Sequence, residues 1–309
     1  MGFWDYYYKT PGDEPSRSGH SRCEMTVRVI RQPDIVYSGT QVPMPEKFPR
    51  FPLSGRRTSW EEILNRGHTP LQIIRTLLRR MPSDPRCRIC LAPFAGPGGR
   101  MVSLIGFGPS RLNPNFCANC LEHLPPGGAE VEIAVMFADI RGSTAMGGGV
   151  NATTFAARMN AFYQAATGTL IARDALIDKL LGDEVLALFV PGFCGPRFEE
   201  RAIEAAIALL DVTGRDRDLA SWLSIGVAVH AGPAFVGNVG GEGVFDFTAL
   251  GDTVNVGARL QGIAGPGELV VSERAYAAAP GIGPGERRSI TVKGKSEPLS
   301  VHVLHPAHT

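Results

Sequence analysis

Apolar and polar positions keep a regular period only in parts of the chain. Residues 1–55, rich in Pro, Ser, Arg and Gly, hold none and read as a disordered or loosely attached segment. The aromatic cluster Phe3, Trp4, Tyr6, Tyr7 and Tyr8 reads as a sticky end of it. Helical signals begin at Ser59, which stands three residues before Glu62 as in a capping box. Thr69-Pro70 marks a second start, followed by Leu71, Ile74, Leu77 and Leu78 on one face and a solvated basic face carrying Arg75, Arg79 and Arg80. Leu124-Pro125-Pro126-Gly127-Gly128 reads as a linker.

From residue 131 the pattern changes. Val131, Ile133, Val135 and Phe137 alternate as in a strand that ends at Asp139. A helix with Phe155, Met159, Phe162, Tyr163, Ala166 and Leu170 on one stripe follows, then two short strands around the turn Gly182-Asp183. A second helix over 197–211 turns Phe198, Ala202, Ile203, Ala206 and Leu209 inward. Strands are expected near 222–230, 234–239 and 244–248, a helix from Thr253, and a last strand pair ending at Val301 and Val303. The order is β-α-β-β-α-β with additions. It predicts an α/β (α+β) ferredoxin-like domain over 130–304 with helices packed on a sheet and no third layer, preceded by a small helical, cysteine-bearing module over 56–124.

Composition narrows the function classes. The chain has 309 residues, 44% of them hydrophobic and 20% charged, enough for one substantial core and a smaller module. A formal charge of +1 argues against nucleic acid or a membrane surface as partner. No apolar run reaches the roughly 18 residues of a membrane-spanning helix, and residues 1–15 do not resemble a signal peptide, so the expected address is the cytoplasm.

Six cysteines are too few for a disulfide scaffold. Cys87-Arg88-Ile89-Cys90 and Cys117-Ala118-Asn119-Cys120 are two Cys-x-x-Cys pairs, each able to clamp one side of a tetrahedral ion. A structural zinc site held by these four thiolates is expected ahead of a redox or iron–sulfur role, with His123 as a bystander and Cys23 and Cys194 as free thiols. Metal here would order a segment too short for a core of its own, contributing on the order of 10 kcal/mol.

Asp139 at a strand end and Asp183 in a hairpin turn lie where neighbouring strands could bring them together. Two carboxylates about 4 Å apart at an effective dielectric near 20 repel by roughly 4 kcal/mol, so such a pair asks for a cation or a shared proton. Oxygen-only ligation suits Mg2+ or Mn2+, and two such ions can serve an attacking and a leaving oxygen together. Farther along, Gly251-Asp252-Thr253-Val254-Asn255 opens a helix on which Asn255 and Arg259, four apart, share a face. That face offers an amide and a guanidinium to a sugar and a phosphate.

In order and in spacing these segments resemble the class III nucleotidyl cyclase catalytic domain, over residues 130–304. The resemblance rests on Phe137-Ala138-Asp139-Ile140 with Gly142-Ser143-Thr144, on Lys179 to Asp183, and on His230-Ala231-Gly232. It also rests on Gly251 to Asn255 with Arg259, and on Val292-Lys293-Gly294-Lys295-Ser296-Glu297-Pro298. It implies that Asp139, Asp183 and the carbonyl of Ile140 hold the two metal ions, that Lys179 and Thr248 read the purine, and that Asn255 and Arg259 orient the ribose and stabilise the transition state. It further implies a head-to-tail homodimer, each site taking metal ligands from one chain and nucleotide contacts from the other.

ATP is the expected substrate, cyclic AMP and pyrophosphate the products. An ammonium only donates, which suits the acceptor on adenine's pairing edge, and Thr248 can accept from the amino group. Family members that make cyclic GMP typically carry Glu and Cys at these positions. Thr248 in place of the more familiar Asp matches a subset of bacterial and soluble animal cyclases, some of them responsive to bicarbonate. Pro233 stands where some animal cyclases carry a phosphate-contacting Arg; Arg141 is a candidate substitute, though its bland reading is a solvent-facing side chain. Two rival readings are a catalytically silent, nucleotide-dependent scaffold and a chain whose business end is the cysteine module.

Overall fold

The computed structural model describes residues 59–306, apart from residue 68 and the stretches 82–84, 111–114, 124–126, 242–243 and 293–294. The expectations for residues 1–55 and for Cys23 lie outside the described residues, as do the side chains of His123 and Lys293.

An eight-stranded sheet organises the chain. It is built from β1 (Gly128–Ile140), β2 (Leu176–Leu181), β3 (Glu184–Phe189), β4 (Ile225–Gly241), β5 (Val244–Leu250), β6 (Leu269–Ser272), β7 (Glu286–Ile290) and β8 (Leu299–Leu304). The strand order is β2-β3-β1-β4-β6-β8-β7, with β5 paired to β4 beyond the end of β6. Its first part, β2-β3-β1-β4 with antiparallel pairs, is the ferredoxin-like arrangement expected from the element order.

Two long helices cover one face. They are α6 (Ala152–Ile171), capped by Asn151, and α8 (Phe198–Arg215). Met159, Phe162, Ala166 and Leu170 of the first and Ala202, Ile203, Ala206 and Leu209 of the second pack on Ala134, Met136, Ala138 and Ile140 of β1. These are the stripes read from the sequence.

The other face carries α10 (Asp252–Ile263), so the domain has a third layer that the sequence pattern does not announce. Val256 and Leu260 pack there on Ala228, Val270, Val301 and Val303. A Cβ at Gly257 would come within 2.7 Å of Val135 and 2.8 Å of Phe137, so glycine lets this helix seat directly on the sheet. With both faces covered, β1 is buried continuously from Ile133 to Ala138, where alternation alone predicts one wet face.

The strands expected near 222–230 and 234–239 are one 17-residue strand, β4. Pro233 interrupts nothing. On one side it pairs with Glu132 of β1, and on the other the pairing of β4 with β6 has ended at Val229 while its pairing with β5 starts only at Phe235. A proline costs a strand little where no partner needs its N–H. Gly128, read as linker, belongs to β1 and pairs with Gly237.

Ahead of the sheet lie α1 (Trp60–Asn65), α2 (Thr69–Arg79), α3 (Gly96–Ser103) and α4 (Ala118–His123), and the short helices α5 (Ser143–Gly149), α7 (Pro191–Cys194) and α9 (Arg217–Ala220) lie in its connections. Ser59 caps α1 by accepting from the Glu62 amide at 3.3 Å. Arg75 is not on a solvated face; it is 2% exposed, whereas Leu77, expected inward, is 58% exposed. Its guanidinium donates to the carbonyls of Ile89 (2.6 Å), Ala175 (3.0 Å) and Asp174 (3.1 Å) and stands 5.2 Å from the Phe193 ring centre. An arginine tolerates such burial because its fork meets several carbonyls at once. It ties α2, the first cysteine pair and the start of β2 together. Among the described residues no helix is long and apolar enough to cross a membrane.

Candidate active site

Asp139 is the penultimate residue of β1 and is paired with Glu184 at the start of β3, which places it beside the β2–β3 turn. Gly182 takes the left-handed conformation there (φ +61°), and Asp183 follows it. The Ile140 amide donates to the Asp183 carbonyl at 3.2 Å, and the Tyr163 hydroxyl to the Gly182 carbonyl at 2.6 Å. The turn is thus held from both sides, and the two carboxylates meet. Burial, followed by the adjoining Asp183, pushes the Asp139 carboxyl up to about 7, against the pull of Arg141.

Arg141 is not solvent-facing. Its Nη2 donates to Asp139 Oδ2 at 2.8 Å. The Ser143 hydroxyl donates to Asp183 Oδ2. Asp139 Oδ1 is buried and has no hydrogen-bond partner. A crowded carboxylate pair with one orphaned buried oxygen is a donor set fitted to a divalent cation.

A second cluster lies along the same hairpin. The Lys179 ammonium donates to Thr248 Oγ1 at 2.7 Å and to Asp178 Oδ1 at 3.2 Å, and the Thr248 hydroxyl donates to Asp178 Oδ2 at 2.8 Å. Two consecutive residues of β2 reach one threonine because the strand bulges between Ile177 and Lys179. In the sheet, β2 is separated from β4 by β3 and β1, so the β4–β5 ribbon must fold back over the sheet to bring Thr248 there. Sequence reading names Lys179 and Thr248 but misses Asp178, whose side chain is fully buried and whose pKa burial raises despite Lys179. A lone Asp in an apolar strand, next to a lysine, was the available signal.

Asn255 and Arg259 stand on α10, the first half-buried and the second exposed. Thr253 abuts Gly232, which pairs with Ile133, and Gly257 abuts Val135 and Phe137. Asn255 therefore lies at the level of Ile133 to Val135, at least four strand residues, roughly 13 Å, short of Asp139. The carboxylate pair and the Lys179–Thr248 pair are each assembled within the chain, while Asn255 is not brought to the carboxylates.

The four cysteines of the two Cys-x-x-Cys pairs converge. All are buried, with sulfurs within 4.8 Å of one another and Cys90 Sγ 3.6 Å from Cys117 Sγ. A tetrahedral ion with metal–sulfur bonds of about 2.3 Å has sulfur–sulfur edges of about 3.8 Å, so the cage has the right size. The Cys117 amide donates to Cys87 Sγ and the Cys120 amide to Cys117 Sγ, both at 3.3 Å. Burial opposes ionisation of Cys87, but hydrogen bonds from Cys117, Cys120 and Cys90 draw its thiol well below the usual range. Cys194 stands apart, a buried free thiol bonded to the Val190 carbonyl and pushed up to about 12 by burial.

The family model of the adenylate and guanylate cyclase catalytic domain matches residues 128–306. The chain belongs to this family. Among relatives, the chain is 32% identical over 155 residues to an uncharacterized protein of Mycobacterium tuberculosis, covering 50% of this chain and 28% of that one. It is 27% identical over 167 residues to the adenylate cyclase of Anabaena cylindrica, covering 51% of this chain and 32% of that one. Its match thus spans about a third of the length of these curated relatives.

Among solved structures, the adenylyl cyclase CyaB from P. aeruginosa superposes on this chain with a TM-score of 0.52 at 25% identity, over 57% of this chain and 95% of that one. The guanylyl cyclase Cya2 shares the fold, with a TM-score of 0.54 at 22% identity, over 57% and 93% of the two chains. Nucleotide cyclisation is thus the family's chemistry, and the purine is a separate question.

Proposed function

We propose that this chain is an adenylate cyclase that converts ATP into 3′,5′-cyclic AMP and pyrophosphate for signal transduction. The observation that carries this reading is the 2.7 Å contact between Lys179 Nζ and Thr248 Oγ1. Adenine offers an acceptor and an amino group side by side. A lysine that only donates and a hydroxyl that accepts are their complement, whereas guanine would present a donor to the ammonium.

Asp139, Asp183 and the Ile140 carbonyl are the proposed ligands for Mg2+ or Mn2+, two ions per site. When bound, such ions lower the cost of forming the attacking 3′-oxygen and hold the triphosphate. The side chains do the rest. Asn255 orients the ribose, and the Arg259 guanidinium meets charge growing on the phosphoryl oxygens. Arg141, held on Asp139, is the proposed substitute for the phosphate-contacting arginine whose position Pro233 takes.

The level of Asn255 along the sheet supports a head-to-tail homodimer, in which the α10 of one chain completes the carboxylate site of its partner. The cysteine cage supports a structural Zn2+ in the module over 56–124, with the catalytic domain over 130–304. Purified protein given Mn2+ or Mg2+ with ATP or GTP, and products identified by mass, tests the reading. Cyclic AMP formed in excess of cyclic GMP is expected; cyclic GMP as the main product, or neither nucleotide cyclised, overturns it.

A further inference from the structure

The cysteine module touches the base-reading pair through one arginine. Arg88, between Cys87 and Cys90, places Nη1 3.3 Å from Asp246 Oδ1, and the other oxygen of that carboxylate lies 3.5 Å from Lys179 Nζ. Asp246 and Thr248 are two apart on β5 and so share a face. Phe247, between them, points to the module. Its ring lies 5.4 Å from Trp60 and 6.3 Å from Phe116, the residue before Cys117. The knuckle itself is pinned, since the Arg88 amide donates to the Asn115 carbonyl at 3.0 Å and Arg75 joins the Ile89 carbonyl to that of Ala175 at the foot of β2. Both strands that carry the pair are thus braced by the module.

We propose that Arg88 and Asp246 are positioning residues for Lys179, so that the first cysteine knuckle sets how tightly the cyclase holds its purine. The inference rests on Lys179 and Thr248 being the base-reading pair. An ammonium has three protons to give. Thr248 and Asp178 take two of them, and Asp246 competes with the base for the third. Arg88 shares the Asp246 carboxylate and so weakens its claim on Lys179, which leaves one donor for the adenine. Without Arg88, Asp246 has Lys179 as its nearest cation and draws it off the base.

The test is a double-mutant cycle read by binding of 3′-deoxy-ATP, which lacks the attacking hydroxyl, together with KM and kcat for ATP. Arg88→Ala is expected to weaken affinity and raise KM about fivefold, the upper end for a partly exposed pair, with kcat little changed. Asp246→Asn added to Arg88→Ala is expected to restore affinity, and Arg88→Lys to keep most of it. A merely structural Arg88 would instead lower the melting temperature and give additive effects in the double variant. Wild-type affinity in Arg88→Ala, or no recovery in the double variant, overturns the proposal. If Lys179→Ala binds 3′-deoxy-ATP as the wild type does, the base-reading assignment fails and takes this inference with it. If Lys179→Ala is weakened and Arg88→Ala is not, only the inference fails.

Discussion

Arg141 donates to one oxygen of Asp139 at 2.8 Å while the other oxygen of that carboxylate, buried, has no partner. The arginine offsets part of the repulsion between Asp139 and Asp183, and it competes with any cation that binds there. Arg141→Ala is therefore expected to bind Mn2+ several-fold more tightly in the absence of nucleotide, measured by calorimetry, and to cyclise ATP more slowly. Weaker Mn2+ binding would show that the arginine supports the metal site rather than guarding it. Asp139→Asn is expected to lose both the Mn2+-induced rise in melting temperature and the turnover.

Purine choice is expected to follow the Lys179–Thr248 contact. Lys179→Glu combined with Thr248→Cys should lose most of the preference for ATP over GTP, as read from the ratio of kcat/KM values. Because Asp178 bonds both residues, the double variant places two acids side by side. Overall turnover is expected to fall even as the ratio moves. A ratio that stays at its wild-type value would remove these residues from base reading.

Arg259 is exposed on α10, so its removal should leave the fold intact. Arg259→Ala is expected to lower kcat by about 10²–10³, the usual cost of losing a charge-stabilising donor, with a smaller effect on KM. Nearly full turnover would refute its role. Mixing Arg259→Ala with Asp139→Ala protein is expected to restore one working site per heterodimer, as a head-to-tail pair requires; no recovery argues against shared sites.

The cysteine cage predicts a bound ion in the reduced protein. Elemental analysis should find about one zinc per chain, and Co2+ exchanged into the site should give the absorption of tetrahedral thiolate cobalt. Removal of the ion is expected to lower the melting temperature, because the buried thiols then crowd each other with nothing between them. Absence of both zinc and iron would discard the site.

His230 gives a pH signature. Burial pushes it down to about 4, with Arg274 and Lys295 acting the same way and Asp252 opposing. Its Nδ1 is buried without a partner. Between about pH 6.5, the value of an unfolded histidine, and pH 4 the unfolded chain takes up a proton that the folded one refuses. Stability from this residue is thus present above that window and lost as pH falls through it, on the order of 3 kcal/mol in all. Melting temperatures of wild type and His230→Gln, followed from pH 7 to pH 4, should converge toward the acid end. Parallel curves would mean that His230 titrates normally.

Much of this architecture was legible from periodicity, because the stripes of α6 and α8 and the alternation of β1 are local consequences of what must face a core. The cysteine spacing and the acidic residues at a strand end and a turn were equally plain, since each chemistry needs its residues close in sequence. Arg75 shows where such reading stops. Its place in a helix with Arg79 and Arg80 looked like a wet face, and only carbonyls roughly 100 residues away in sequence, at Asp174 and Ala175, explain its burial. The third layer was hidden for a similar reason, as Gly257 carries no apolar signal yet is what lets α10 close on Val135 and Phe137.

The sequence alone determined the residue types, the order of elements and the family that they spell out, because those depend on neighbours along the chain. The tertiary structure alone decided which groups share a charge environment: Arg141 on Asp139, Asp178 under Thr248, Arg88 reaching Lys179 through Asp246. Such pairings depend on how a ribbon folds back over a sheet and where a bulge turns two side chains the same way, and no period in the sequence records either.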